Sequence, residues 1–304
     1  MRIVVSGGSG FIGRAVVERL AGAGHRVLAL VRAGAPDSRF PKAVEVLATG
    51  DLAGFSGWTH ALEGTDALVH LAAIAHRSNR DDRRLNEVNV VAAERAARAA
   101  AAAKARFLYM SSVKVHGEET PSGPFRAQDA FVPHDAYARS KVAAERAIAS
   151  IPGLDWTVLR PPLVYGPGVR ANFLALMNAI MRGYPLPLAS VCNRRSLLYV
   201  GNLAHALERC LEAPRTAGRA YLISDGTPVS TPELCRALGD ALGRPARLLP
   251  FPPFVLDWIA PLRRLTHSLE VDDSPLRRDL EWEQPFTFGQ ALRDTADWYS
   301  ARDR

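Results

Sequence analysis

Short apolar runs separated by stretches of helical period fill the first half of the chain. Residues 2–6 (Arg-Ile-Val-Val-Ser) read as a fully buried strand, and 14–20 as a helix closed by Gly22-Ala23-Gly24. Residues 25–31 predict a second strand, 44–47 a short third ending at Thr49-Gly50-Asp51, and 67–71 a fourth. Helices are predicted over 58–62, 86–104 and 136–150, and strands over 106–110 and 155–159. Strands alternating with helices imply a parallel sheet covered on both faces, and right-handed crossovers make it doubly wound. After Pro161-Pro162 the rhythm changes. Prolines gather at 185, 187, 245, 250, 252, 253 and 261, and helices are predicted over 173–182 and 232–242.

Composition narrows the classes. The 304 residues are 48% apolar and 23% charged, which is globular and excludes disorder. The net charge is +7, mostly Arg, but no basic run reaches five residues, so no nucleic-acid partner is expected. Cys192, Cys210 and Cys235 form neither a C-x-x-C pair nor a disulfide framework, and no metal site is expected. No apolar run reaches the roughly 18 residues of a membrane span. Met1 leads straight into the first strand, so a cytoplasmic location is expected.

Gly7-Gly8-Ser9-Gly10-Phe11-Ile12-Gly13 carries G-x-x-G-x-x-G at 7, 10 and 13, and G-x-G-x-x-G at 8, 10 and 13. It follows a predicted strand and opens a predicted helix, the context of a dinucleotide loop. Glycines let the backbone approach a pyrophosphate, and the helix N-terminus offers unpaired N–H groups. An NAD site needs an acid at the end of strand two. That strand ends Leu30-Val31-Arg32 instead, and a guanidinium suits a ribose 2′-phosphate, so NADP(H) is favoured over NAD(H). Arg2 is a second candidate for that phosphate. Asp51 is placed for the adenine amino group, and Leu71-Ala72-Ala73 for the cofactor's crossing of the sheet edge.

Tyr137-Ala138-Arg139-Ser140-Lys141 puts Tyr and Lys on one helix face, four residues apart. A nearby ammonium favours phenolate, so the Tyr pKa is expected to fall toward the working range. Ser111-Ser112 closes strand five and can bond the same substrate oxygen.

With these motifs the chain resembles the extended short-chain dehydrogenase/reductases, in particular the nucleotide-sugar epimerase/dehydratase family, over nearly its whole length. Ser112-Val113-Lys114-Val115-His116-Gly117 resembles the family's S-x-x-V-Y-G, and Arg160-Pro161-Pro162-Leu163-Val164-Tyr165-Gly166-Pro167-Gly168 its R-x-x-x-V-Y-G-P loop. The resemblance implies a Rossmann-type doubly wound α/β fold with a smaller C-terminal substrate-binding lobe. The dinucleotide domain would span 1–166, with 195–223 returning to it, and the lobe 167–194 and 224–304. Ser112, Tyr137 and Lys141 would be catalytic. Gly7, Gly10, Phe11, Ile12, Gly13, Arg32, Asp51, Leu52, Leu71, Ala72, Ala73, Asn89, Tyr137, Lys141 and Pro162 would hold the cofactor. Lys114, Asn172, Phe173, Leu186, Pro187, Leu188 and Arg195 would meet a UDP-sugar, with Arg195 forked onto its diphosphate. A homodimer is compatible with the resemblance.

Three positions depart from the family: the acidic ribose reader is missing, Asn202 replaces an Asp, and Val113-Lys114 replaces the Asp-Glu pair of the 4,6-dehydratases. Dehydration is therefore not expected. The expected reaction is NADP(H)-dependent reduction of a UDP-linked 4-keto sugar, such as a 4-keto-6-deoxy-N-acetylhexosamine for surface polysaccharide. The absence of a Lys at Ala75 points the same way. NAD-dependent 4-epimerisation of a UDP-sugar is the alternative, and a catalytically idle nucleotide-binding scaffold is the alternative of another class.

Overall fold

The computed structural model describes residues 1–32, 40–74, 82–258 and 260–302, apart from the side chains of 260–262. The apolar runs become β1 (Arg2–Ser6), β2 (Arg26–Val31), β3 (Glu45–Ala48), β4 (Ala67–His70), β5 (Arg106–Met110) and β6 (Trp156–Arg160). Two short strands follow, β7 (Leu163–Tyr165) and β8 (Leu197–Tyr199), then β9 (Arg219–Leu222). Seven of these form one sheet in the order β3-β2-β1-β4-β5-β6-β9, with every neighbouring pair parallel. β7 and β8 pair separately, also parallel.

The helices are α1 (Phe11–Gly22), α2 (Trp58–Ala61), α3 (Asp82–Asn86), α4 (Ala92–Ala102), α5 (Ala136–Ala149), α6 (Ala171–Arg182), α7 (Val200–Glu212) and α8 (Thr231–Ala241). α9 (Pro253–Leu256), α10 (Ala260–Thr266), α11 (Ser274–Leu280) and α12 (Phe288–Ala301) complete the chain. Successive strand residues face opposite sides, as the pleat requires. Ile3 and Val5 pack with α1 and α7 on one face, and Val4, Leu68 and Phe107 with α2, α4 and α5 on the other. A further core joins α6, α8 and α12 through Met177, Ile180, Leu234, Leu238 and Leu292.

The helix predicted over 86–104 is interrupted. Glu87–Val91 forms a π-type turn between α3 and α4, a distortion that often marks a functional site. Its cause is Asn89. The side chain accepts from the Ile74 N–H at 2.8 Å and donates to the Ile74 carbonyl at 3.1 Å and Ser140 Oγ at 3.0 Å. Those bonds draw the backbone toward the end of β4 and out of regular register.

Candidate active site

A parallel sheet gathers its C-terminal strand ends on one edge, and the loops there build the site. β1 runs into the glycine loop, which α1 follows. Gly7 sits at φ +74°, a conformation that favours glycine, and a Cβ there would stand 2.8 Å from the Ala72 nitrogen. A Cβ on Gly13 would lie 2.1 Å from the Gly7 carbonyl oxygen. The loop thus closes backbone to backbone. α1 has no side-chain cap and no acid in its first turn, so its N–H groups face outward with the positive end of the helix dipole. These features fit a dinucleotide pyrophosphate.

Arg32 is exposed at the end of β2, next to the strand whose Leu30 carbonyl accepts from the Gly8 N–H at 3.1 Å. Among the described residues no carboxylate pairs with it. Arg2 lies at the opposite, N-terminal edge of the sheet, where it donates to Thr65 Oγ1 at 2.7 Å and to the Glu63 carbonyl. It cannot serve the cofactor edge, which corrects its candidacy. Asp51 pairs with Arg84 and accepts from the Ala53 N–H at 3.0 Å, at the end of β3 with Leu52 buried beside it. Leu71, Ala72 and Ala73 follow β4, and the Leu71 N–H bonds the Ser6 carbonyl at 3.1 Å. Ala75 lies outside the described residues.

Asp135 caps α5 by accepting from the Ala138 N–H at 2.7 Å, so Tyr137 stands in the first turn and Lys141 one turn on. Ser112 follows β5, where its hydroxyl accepts from the Lys114 N–H at 3.3 Å and lies close enough to the Tyr137 phenol to favour its ionised form. The structure departs from expectation on the phenol itself. Burial, reinforced by Asp135, pushes Tyr137 up to about 12, and the Ser112 hydrogen bond works against this. Lys141 does not offset the rise, because burial pushes its own pKa down to about 7. Its ammonium bonds the Met110 carbonyl at 2.8 Å and Tyr109 Oη at 3.2 Å, 5.8 Å from the centre of the Tyr137 ring.

Sequence reasoning missed the support beneath this pair. Glu145, one turn beyond Lys141, accepts from Ser111 Oγ and pairs with Arg160 at 2.6 Å. Arg160 also donates to His116 Nε2 at 3.0 Å and to the Ala127 carbonyl at 2.6 Å, and stacks 5.0 Å from the centre of the Phe131 ring. Glu145, Arg160 and His116 are all buried. The network fastens α5 to the ends of β5 and β6. It also explains His116, which stands in for the family's Tyr: burial, then Arg160, keeps the imidazole neutral and able to accept. The signal available in the sequence was Glu145 at i+4 from Lys141 and an Arg ending β6.

The proposed substrate residues separate into two groups. Phe173 is stacked on Tyr165 at 5.3 Å, and Leu188 is likewise inside the lobe's core, so neither presents much surface. Asn172 is exposed, and Leu186 and Pro187 are partly so. Arg195 donates to the His267 carbonyl at 2.8 Å, and burial followed by Arg264 lowers its pKa to about 10. Arg264, unforeseen from the sequence, bonds Glu118 at 3.2 Å, and Glu118 bonds Lys114 at 2.8 Å. Lys114 also holds Asp135 at 2.6 Å. Asn202, replacing the family's Asp, donates to Asp225 at 2.7 Å, so the carboxylate comes from a different position. Gly168 of the loop after β7 packs on Phe11, since a Cβ there would stand 3.3 Å from that ring.

Residues 3–224 match the NAD dependent epimerase/dehydratase family. The chain belongs to that family. This epimerase/dehydratase chain is 34% identical over 313 residues to a UDP-glucose 4-epimerase of Vibrio cholerae, covering 97% of this chain and 94% of that one. Its fold matches a UDP-N-acetylglucosamine 4-epimerase from Methanobrevibacter ruminantium, solved with UDP-N-acetylmuramic acid, at a TM-score of 0.83 and 22% identity (99% and 98% covered). It also matches the UDP-glucose 4-epimerase of Thermus thermophilus in complex with NAD at 0.81 and 24% identity (99% of each chain). The sheet order and flanking helices are those of the Rossmann-type fold the sequence predicted. Among the described residues no helix is long and apolar enough to cross a membrane.

Proposed function

We propose that this enzyme reduces the 4-keto group of a UDP-linked sugar with NADP(H), the substrate class being a 4-keto-6-deoxy-N-acetylhexosamine destined for surface polysaccharide. The observation that carries the reading is the Ser112–Tyr137 pair. The phenol carries its proton at neutral pH, with the Ser112 hydroxyl beside it and its ring 5.8 Å from the buried Lys141 ammonium. A group that enters the cycle carrying its proton is an acid, which is what carbonyl reduction needs. When bound, NADPH supplies the hydride. Gly7, Gly10 and Gly13 would hold its pyrophosphate with the α1 N-terminus, Asn89 would keep the Ile74 segment in place, and Pro162 would border the nicotinamide end. Tyr137 gives its proton to the alkoxide oxygen, Ser112 orients that oxygen, and Lys141 holds the ribose.

Arg32 supports NADP(H): it is an exposed cation at the strand end where an NAD site has an acid. Arg195, with Arg264 and Lys114 nearby, supports a diphosphate, and Asn172, Leu186 and Pro187 would border the nucleotide. Residues 1–166 with 195–223 would then be the cofactor domain, and 167–194 with 224–304 the substrate lobe. NAD-dependent 4-epimerisation is a second reading, favoured by the identity to the Vibrio cholerae protein.

The deciding assay mixes enzyme, NADPH and a UDP-4-keto-6-deoxy-N-acetylhexosamine and follows nicotinamide absorbance. Stoichiometric loss of NADPH with a 4-hydroxy product is expected. Interconversion of UDP-glucose and UDP-galactose without added cofactor would overturn reduction in favour of epimerisation. NADPH should bind at least about tenfold tighter than NADH, roughly 1.4 kcal/mol, and Arg32→Ala should remove most of that gap. Tyr137→Phe should lower turnover by about 100-fold or more with cofactor still bound; full activity in that variant would overturn this reading of the site, whereas a wild-type protein without turnover on any nucleotide sugar would leave the scaffold reading.

A further inference from the structure

Exposed apolar side chains are concentrated in one place. Leu249, Phe251, Phe254, Val255 and Trp258 all fall within ten residues, and Phe254 and Trp258 are 68% and 89% exposed. Globular surfaces carry single exposed apolar residues as a matter of course, but contiguous ones mark interaction sites. The cluster extends sideways to Tyr184, itself 53% exposed. Backbone bonds strap the two segments together: Leu186 N–H to the Arg247 carbonyl at 2.8 Å, Leu249 N–H to the Leu186 carbonyl at 2.8 Å, and Ala189 N–H to the Leu249 carbonyl at 3.0 Å. Prolines 250, 252 and 253 stiffen the segment.

The rim is cationic. Arg244 donates to the Met181 carbonyl and Arg247 to the Gly183 carbonyl at 3.3 Å, both neutral partners. Arg182 lies between those two carbonyls in sequence. Among the described residues no carboxylate pairs with any of the three. Between Arg244 and Trp258 the chain has a single acid, Asp257, whose side chain is taken up by Thr266 at 2.5 Å and His267 at 3.1 Å.

We propose that this patch seats the enzyme on the surface of an anionic lipid bilayer. Trp, Tyr and Phe side chains favour the headgroup boundary, and flanking Arg residues are drawn to anionic lipid. The apolar stretch is far too short to span, so the protein lies on the surface rather than in it. The patch is continuous with the segment whose Leu265 and His267 carbonyls hold Asn193 and Arg195. Docking would therefore turn this side of the C-terminal lobe toward the membrane. A bilayer is favoured over a protein partner because the unneutralised charge complements a lipid surface, and nothing in the patch supplies a paired counter-charge.

The test uses the full chain and sedimentation with sucrose-loaded vesicles, so it does not depend on the reaction assigned above. Vesicles containing about one-third phosphatidylglycerol should bind the protein at low salt, and pure phosphatidylcholine should bind it weakly. The double variant Phe254→Ser/Trp258→Ser should lose roughly tenfold or more in partitioning, since two large apolar side chains leave the interface. Arg182→Glu should weaken binding to anionic vesicles and make it less salt-dependent. Unfolding midpoints equal to wild type would show that the variants are folded. No vesicle binding, or binding indifferent to all three substitutions, would overturn the proposal. So would a lipid-free self-association that the double variant abolishes, because the patch would then cover a second copy of the chain.

Discussion

Removing the buried Lys141 should make the cofactor-free protein more stable, and most so at low pH. Lys141 is 2% exposed, and burial lowers its pKa from 10.5 to about 7. At about 1.36 kcal/mol for each pH unit, the charged form is disfavoured by roughly 4–5 kcal/mol below pH 7. The unfolded chain keeps Lys protonated up to about 10.5, so between pH 7 and 10.5 it binds more protons than the folded chain, and stability rises with pH. The penalty is complete below pH 7 and falls by about 1.5–2 kcal/mol by pH 8.5. Lys141→Met removes it and gives up two hydrogen bonds of about 1 kcal/mol each, leaving a gain of roughly 2–3 kcal/mol at pH 6.5. Urea unfolding at pH 6.5, 7.5 and 8.5, on nucleotide-free protein, checks both terms. The variant should be the more stable, with the difference shrinking as pH rises. A variant less stable at pH 6.5, or a difference independent of pH, would refute the reasoning.

Glu145→Ala should cost about 3–5 kcal/mol in the same unfolding assay, because it leaves the Arg160 guanidinium buried with only His116 and the Ala127 carbonyl. Turnover should fall with it, since α5 carries both Tyr137 and Lys141; an unchanged unfolding midpoint would dismiss the network as a support. Gly13→Ala should abolish dinucleotide binding in calorimetry, because the new methyl would meet the Gly7 carbonyl at 2.1 Å, well inside contact distance. Arg195→Ala should raise the Kd for UDP by on the order of 10–100-fold, as hydrogen bonds to charged groups contribute about 1.5–3 kcal/mol; unchanged UDP affinity would dismiss the diphosphate site.

What could be read from the chain followed periodicity. β1, β2, β4, β5 and β6 lie where their apolar runs place them, because a strand buried on both faces admits few polar residues; β3, the half-exposed edge strand, lies within a residue of its run. The Tyr137–Lys141 spacing, the glycine loop and Ser112 were legible for the same reason: each is a local pattern. What escaped depends on residues far apart in sequence. β7 and β8 are three residues each and become strands only by pairing with one another across 34 positions. Asn89 is named by the resemblance as a cofactor-site residue, but its bonds to Ile74, and the π-type turn at Glu87–Val91, appear only once the end of β4 is folded beside it. Phe173 and Leu188 carry no mark that separates a core side chain from a pocket side chain. The rise of the Tyr137 phenol is not visible in the sequence, which shows the ammonium one turn away but not the burial that acts on both groups.

The last strand of the main sheet has a consequence for how the chain is made. β9 docks on β6 only after some 58 intervening residues have left the ribosome, by count from Arg160 to Arg219. Until then β6 is an open edge able to pair with other chains. Arg106, which starts β5, is buried against the carbonyls of Leu211 at 3.3 Å and Ala213 at 2.8 Å and against Thr216 Oγ1 at 2.6 Å. Those acceptors belong to the same late segment. The nascent N-terminal half therefore carries an unfinished edge and a guanidinium without its acceptors throughout synthesis of the intervening helices. Its final packing waits until β9, ending at Leu222 of 304 residues, has been made, and the cell's holding chaperones have that interval in which to act.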